Sequence, residues 1–208
     1  MNAPRLSDPQ VMIVPGLQNS GPAHWQSLWR QRNPAFDSVV QSNWSDPDLN
    51  AWSEAIVERV RLSRRDVVLV AHSFGCLASV RAARLLGSRV RATLLVAPAD
   101  PKLFRVSQQL PRTHLGFPSI LVASRNDRWM PLATARQWAD RWGSQFIDLG
   151  DAGHINVDAG FGEWPFGERL LRSLMRRVSV QPVDHATTPA TQLPAASPSR
   201  SLPFAFAI

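Results

Sequence analysis

The sequence predicts an α/β fold, a mostly parallel sheet with helices on both faces. Three observations predict it. Five short apolar runs, rich in β-branched residues, each end in turn chemistry. Helical patterns with apolar residues three and four apart fall between them. Strand and helix alternate along the chain, the order that yields parallel strands.

The strands are expected at residues 11–14, 67–70, 93–97, 119–123 and 146–149, with a weaker candidate at 38–41. Their apolar runs are continuous rather than alternating, as befits strands covered on both faces. The first helix is expected over 24–32, with Trp25, Leu28 and Trp29 on one stripe. The second, 49–63, spaces Trp52, Ile56 and Val60 by four. A third covers 76–86, and a fourth, 132–142, aligns Ala135, Trp138 and Trp142. A fifth covers 167–178. In doubly wound sheets of this kind, ligand sites lie at the carboxyl ends of the strands.

The 208 residues point to one domain spanning 1–178. With 44% hydrophobic and 19% charged residues, the chain supports a sizeable core. Residues 179–208 are rich in Pro, Ala, Ser and Thr and read as a disordered tail ending in an apolar stretch, 202–208. The only cysteine, Cys76, excludes an internal disulfide and reads as a small buried apolar residue. No histidine pair has metal spacing, so neither metal nor cofactor is expected. The start of the chain has no apolar stretch of the leader type, and no run approaches the ~20 residues of a membrane span. A cytoplasmic protein is expected.

The net charge is +7, and Lys102 is the only lysine among 23 basic residues. The arginines are spread over 59–65, 81–91 and 169–177, with no nucleic-acid motif beside them. They read as solvated helix faces, and no nucleic-acid partner is expected.

The chemical signal is Val67-Val-Leu-Val-Ala-His-Ser73-Phe-Gly-Cys. An apolar strand runs into small-x-Ser-x-small, and a helical pattern follows, the setting of a nucleophile elbow. The turn is tight, so positions two before and two after the serine must be small; Ala71 and Gly75 are. The amide of Phe74, at a helix start, can face a developing oxyanion. The side chain of His72 is expected to point away across the elbow.

A serine hydroxyl needs a base, and the base needs an orienting acid. The expected order is Ser, acid, His. Asp127 follows the strand at 119–123, and His154 lies in a glycine-flanked loop after the last strand. Asp100, also just past a strand, competes for the acid's role. The loop after the first strand, Pro15-Gly-Leu-Gln-Asn, fits a second oxyanion donor. Leu17 is the expected donor, with Gln18 as alternative, and Gly16 is expected to let the backbone turn. Gln18 and His24 are candidate substrate contacts.

These motifs resemble those of the YdeN-like and retinoblastoma-binding serine hydrolase family of small α/β-hydrolases. The similarity covers about residues 10–176. It rests on Val14-Pro-Gly-Leu-Gln-Asn-Ser with His24-Trp25, on Ala71-His-Ser-Phe-Gly, on Ser124-Arg-Asn-Asp127, on Gly153-His-Ile-Asn and on Trp164-Pro-x-Gly167. The resemblance implies a lidless α/β-hydrolase domain with Ser73, Asp127 and His154 as its triad. Retinoblastoma binding does not carry over: the required Leu-x-Cys-x-Glu segment is missing, since Phe74 and Ala78 flank Cys76.

The expected function is therefore hydrolysis of a small carboxylic ester or thioester. Acyl transfer within the same chemistry, or a non-catalytic binding protein on the same scaffold, are the alternatives.

Overall fold

Residue parity along the strands divides the interior into two cores, one on each side of the sheet. A computed structural model describes residues 8–180. Its order is β1 (Gln10–Val14), α1 (Trp25–Arg32), β2 (Asp37–Ser38), α2 (Leu49–Leu62), β3 (Val67–His72), α3 (Phe74–Leu86), β4 (Val90–Val96), β5 (Ser119–Ala123), α4 (Leu132–Trp142), β6 (Gln145–Asp148) and α5 (Pro165–Val180). The six strands pair in the order β2-β1-β3-β4-β5-β6, all parallel.

On β1, β3 and β5 the side chains Met12, Leu69, Ala71 and Leu121 face α2, α3 and α4, where Trp52, Leu77 and Trp138 cover them. Val11, Ile13, Val68, Val70 and Ile120 face the other way, onto Trp25 and Trp29 of α1 and Leu171 and Leu174 of α5. Both faces are buried, which explains the unbroken apolar runs. Each buried Val, Leu, Ile or Met among them contributes roughly 1.5–3 kcal/mol by leaving water.

The helices start and stop on local chemistry. Asp48 caps α2 by accepting from the amides of Asn50 and Ala51. Gly143 ends α4 in the left-handed conformation. Pro165 opens α5, where its missing N–H costs nothing. Gly167 meets the Trp164 ring so closely that no side chain fits between them. That contact gives the Trp-Pro-x-Gly motif its steric reason.

Several boundaries differ from the sequence expectation. β4 begins at Val90, earlier than expected, because Arg91 interrupts the apolar run while its guanidinium pairs with Asp66 at 3.5 Å. β2 is only Asp37–Ser38, one residue before the expected 38–41. α3 begins at Phe74, directly after Ser73, rather than at Cys76. α5 takes in Ser179 and Val180. From residue 181 onward the expected tail lies outside the described residues.

The chain reverses its direction of travel across the sheet between β1 and β3. β2 lies on one side of β1, and β3 with every later strand on the other. A crevice forms at such a switch point, at the carboxyl ends of the strands. Near those ends Gln26 of α1 ties β1 to β3: its Nε2 donates to the carbonyls of Val14 and Val70, both at 3.1 Å.

Candidate active site

Ser73 stands where β3 turns into α3, at φ 54° and ψ −126°. A non-glycine residue in that region costs on the order of 1–3 kcal/mol, met by the surrounding fold. Two features fix it there. Its amide donates to the Val96 carbonyl at 3.1 Å. Gly75 lies against the carbonyls of Pro15 and Val14, where any side chain would collide. Smallness two residues after the serine is therefore a matter of contact with the β1 loop.

Gly16 plays the reciprocal part. A Cβ there would come within 2.8 Å of the Ser73 Cβ. Gly16 is not among the residues with positive φ. The left-handed residues of that loop are Gln18 and Asn19, both at φ 64°. The Gln18 amide donates to the Trp44 carbonyl at 2.9 Å, which removes it as an oxyanion donor. The Leu17 and Phe74 amides have no acceptor among the described residues.

His154 joins Ser73 to Asp127. Its Nε2 lies 2.9 Å from Ser73 Oγ, and its Nδ1 lies 2.9 and 3.0 Å from the two Asp127 carboxylate oxygens. With Nδ1–H donating to the carboxylate, Nε2 is free to accept the serine proton. The Asp127 carboxylate is 2% exposed, and its Oδ1 also accepts the Trp129 amide at 2.9 Å. Asp100 is not brought to His154; its carboxylate accepts the Lys102 amide in a local turn.

The His154 loop is tied down from two sides. Ser124 Oγ accepts the Ala152 amide at 2.9 Å, and Asn126 Oδ1 accepts the Gly153 amide at 2.7 Å. The Trp25 indole donates to the Ile155 carbonyl at 3.0 Å, and His72 Nε2 donates to the His154 carbonyl at 2.9 Å.

The position of His72 corrects the sequence expectation. Its side chain does leave the sheet on the α1 and α5 face, as alternation demands. The His154 loop, however, packs on that same face through Ala152 and Ile155. The two imidazole centroids are consequently 4.9 Å apart, and His72 borders the site. Burial, then the charges of His154 and His24, hold its pKa well below the usual histidine value. The Ser124, Asn126, Trp25 and His72 tethers were not assigned from sequence. Only their presence inside the matched motifs marked them.

Above Ser73 is an open cleft of about 640 Å³. Gln18, His24, Phe104, Arg128, Trp129 and Asp158 are among its walls. Cys76 is fully buried, and burial pushes its thiol pKa up. Among the described residues no cluster of His, Cys, Asp or Glu could hold a metal, and no helix is long and apolar enough to cross a membrane.

A parallel sheet in this order, with a strained serine between β3 and α3, defines an α/β-hydrolase fold. The family model described as serine hydrolase matches residues 11–173. The chain belongs to this serine hydrolase family. It is 35% identical to a YdeN-like hydrolase from Pectobacterium atrosepticum, over 82% of this chain and 92% of that one, with a TM-score of 0.80. The ydeN gene product of B. subtilis shares 23% identity over 81% of this chain and 99% of its own, at a TM-score of 0.68. A monoacylglycerol lipase from Paleococcus ferrophilus, 14% identical over 83% of this chain and 95% of that one at a TM-score of 0.57, shares the fold alone. No curated protein matches the chain.

Proposed function

We propose that this hydrolase cleaves small carboxylic esters or thioesters through an acyl-enzyme on Ser73. The observation that carries the reading is the unbroken hydrogen-bonded series from Ser73 Oγ through His154 to Asp127. His154 takes the serine proton as Oγ attacks the carbonyl carbon, then gives it to the departing alcohol or thiol. Asp127 holds the imidazole tautomer and stabilises the imidazolium. The free Leu17 and Phe74 amides donate to the oxyanion. Water, activated by the same histidine, then releases the acid.

The open cleft favours hydrolysis over transfer, since water reaches the acyl-enzyme unhindered. Gln18 and His24 touch the bound substrate from the cleft wall. The lone thiol Cys76, buried in the core, fits a cytoplasmic setting.

The test is a fluorophosphonate probe on the full chain, paired with turnover of short p-nitrophenyl esters. Stoichiometric labelling of the wild type, lost in Ser73→Ala, is expected. A correctly folded wild type that neither labels nor turns over ester would end this reading and leave the binding-protein alternative.

A further inference from the structure

Two consecutive side chains in the cleft wall have no task in the reaction as written. Trp129 is 40% exposed, a large aromatic face left open to water. Its backbone is held at both ends: the amide donates to Asp127 Oδ1 at 2.9 Å, and the carbonyl accepts the Asp100 amide at 2.9 Å. The open ring therefore stands on a fixed support. Its centroid lies 6.1 Å from that of the His154 imidazole. The guanidinium carbon of Arg128 lies in turn 6.0 Å from the Trp129 ring centroid. His154, Trp129 and Arg128 thus form a row of side chains along one wall of the cleft.

The charge in that row is uncompensated. Arg128 is exposed, and no carboxylate pairs with it among the described residues. Its neighbour Asp127 is engaged with His154. Asp158, an acid that also lines the cleft, forms no salt bridge with it.

The row meets a definite part of the substrate. The leaving oxygen must reach His154 Nε2, which supplies its proton. The group on that oxygen therefore lies beside the His154 ring, while the acyl group stays on Ser73 near the Leu17 and Phe74 amides. His72, the other ring of the site beside His154, is 6% exposed and offers no open face. Trp129 does offer one, and a flat ring stacked on it carries a para substituent away from the reacting oxygen, as Arg128 lies beyond Trp129.

We propose that Trp129 and Arg128 form the leaving-group subsite, and that the preferred leaving group is a flat aromatic alcohol bearing an anionic substituent such as a carboxylate. The indole stacks on the ring, and the guanidinium pairs with the anion. This rests on the ester-hydrolase reading above.

The experiment compares three acetates, so that the acyl group is constant: p-acetoxybenzoate, its neutral isostere p-carbamoylphenyl acetate, and trifluoroethyl acetate, whose leaving group is alkyl. Each kcat/KM is divided by the ester's hydroxide rate constant, which removes differences in leaving-group acidity. At low salt the wild type is expected to favour p-acetoxybenzoate over the carbamoyl ester by about three- to fivefold, the worth of an ion pair open to water. Salt at about 1 M should abolish that preference. The carbamoyl ester is expected to exceed the trifluoroethyl ester by about fivefold, the worth of one aromatic stack. Arg128→Gln should bring the first ratio to about one and keep the second; Trp129→Leu should bring the second to about one. A purely structural role would lower all three esters equally, and that result overturns the proposal. A wild-type ratio of one in either comparison overturns it too, and those measurements stand even where a variant fails to fold. Fluorophosphonate labelling separates the two levels. A labelled wild type with a ratio of one loses this inference and keeps the ester reading; a protein that neither labels nor cleaves loses both.

Discussion

The two ends of α3 share one backbone conformation and differ in what occupies it. Ser73, before the helix, sits at φ 54° and ψ −126°; Gly87, after it, sits at φ 54° and ψ −129°. Each borders a hollow, about 640 Å³ at Ser73 and about 430 Å³ at Gly87, the latter walled by Arg84, His114 and Phe117. At Gly87 a glycine takes the conformation without penalty, and a Cβ there would meet open space. At Ser73 the same angles are held by a residue that resists them, wedged between the β1 loop and β4. The difference places the backbone strain at the candidate nucleophile and not at the far end of the helix.

Ser73→Ala is expected to lower ester turnover by about 10⁴-fold or more. Ser73→Gly should be equally inactive yet unfold at a higher urea concentration than Ser73→Ala, by about 1 kcal/mol, since glycine relieves the strain. Equal midpoints would mean that the elbow stores no strain.

Acid should act at the Ser73 end. The folded pKa of His24, lowered to about 4 by burial and after it by the charge of His154, lies below the ordinary 6.5 of the unfolded chain. The unfolded state therefore binds the extra proton first, and stability falls as pH drops from about 6.5 to about 4. The part due to His24 is about 3 kcal/mol at most, and the buried His72, whose pKa is also held down, adds to the loss in the same direction. Urea midpoints at pH 7 and pH 4 should show a smaller loss in His24→Asn than in the wild type. An identical loss would remove His24 from the acid response.

Gly75→Ala should cost about 2–3 kcal/mol, as over-packing does, and should also lower kcat, because the elbow must shift off the β1 carbonyls. The smallest effect belongs to Gly87→Ala. About 1 kcal/mol of lost stability, read from thermal melts, should leave kcat/KM unchanged. Any fall in kcat/KM would tie the far hollow to the reaction.

The strands and helices were legible because both faces of the sheet are buried, so apolar runs and stripes mark them. Ser73, Asp127 and His154 were legible because order and strand-end position constrain them jointly. Three things escaped. The choice between Asp127 and Asp100 turns on which loop bends toward His154, and nothing within either segment encodes that. The place of His72 depends on a loop 82 residues away crossing its face of the sheet. The need for Gly16 lies in its approach to Ser73, a contact between segments far apart in sequence that no local turn rule describes.

That last contact bears on how the cleft can be redesigned. Gly16 fits against Ser73 while Gly75 fits against Pro15 and Val14, so the β1 loop and the elbow interlock like two halves of a joint. Neither half can be enlarged while the other stays put. A library meant to change substrate preference should hold residues 14–16 and 73–75 fixed as one unit. Its diversity belongs at Phe104, Arg128 and Asp158, cleft walls that stand outside the joint.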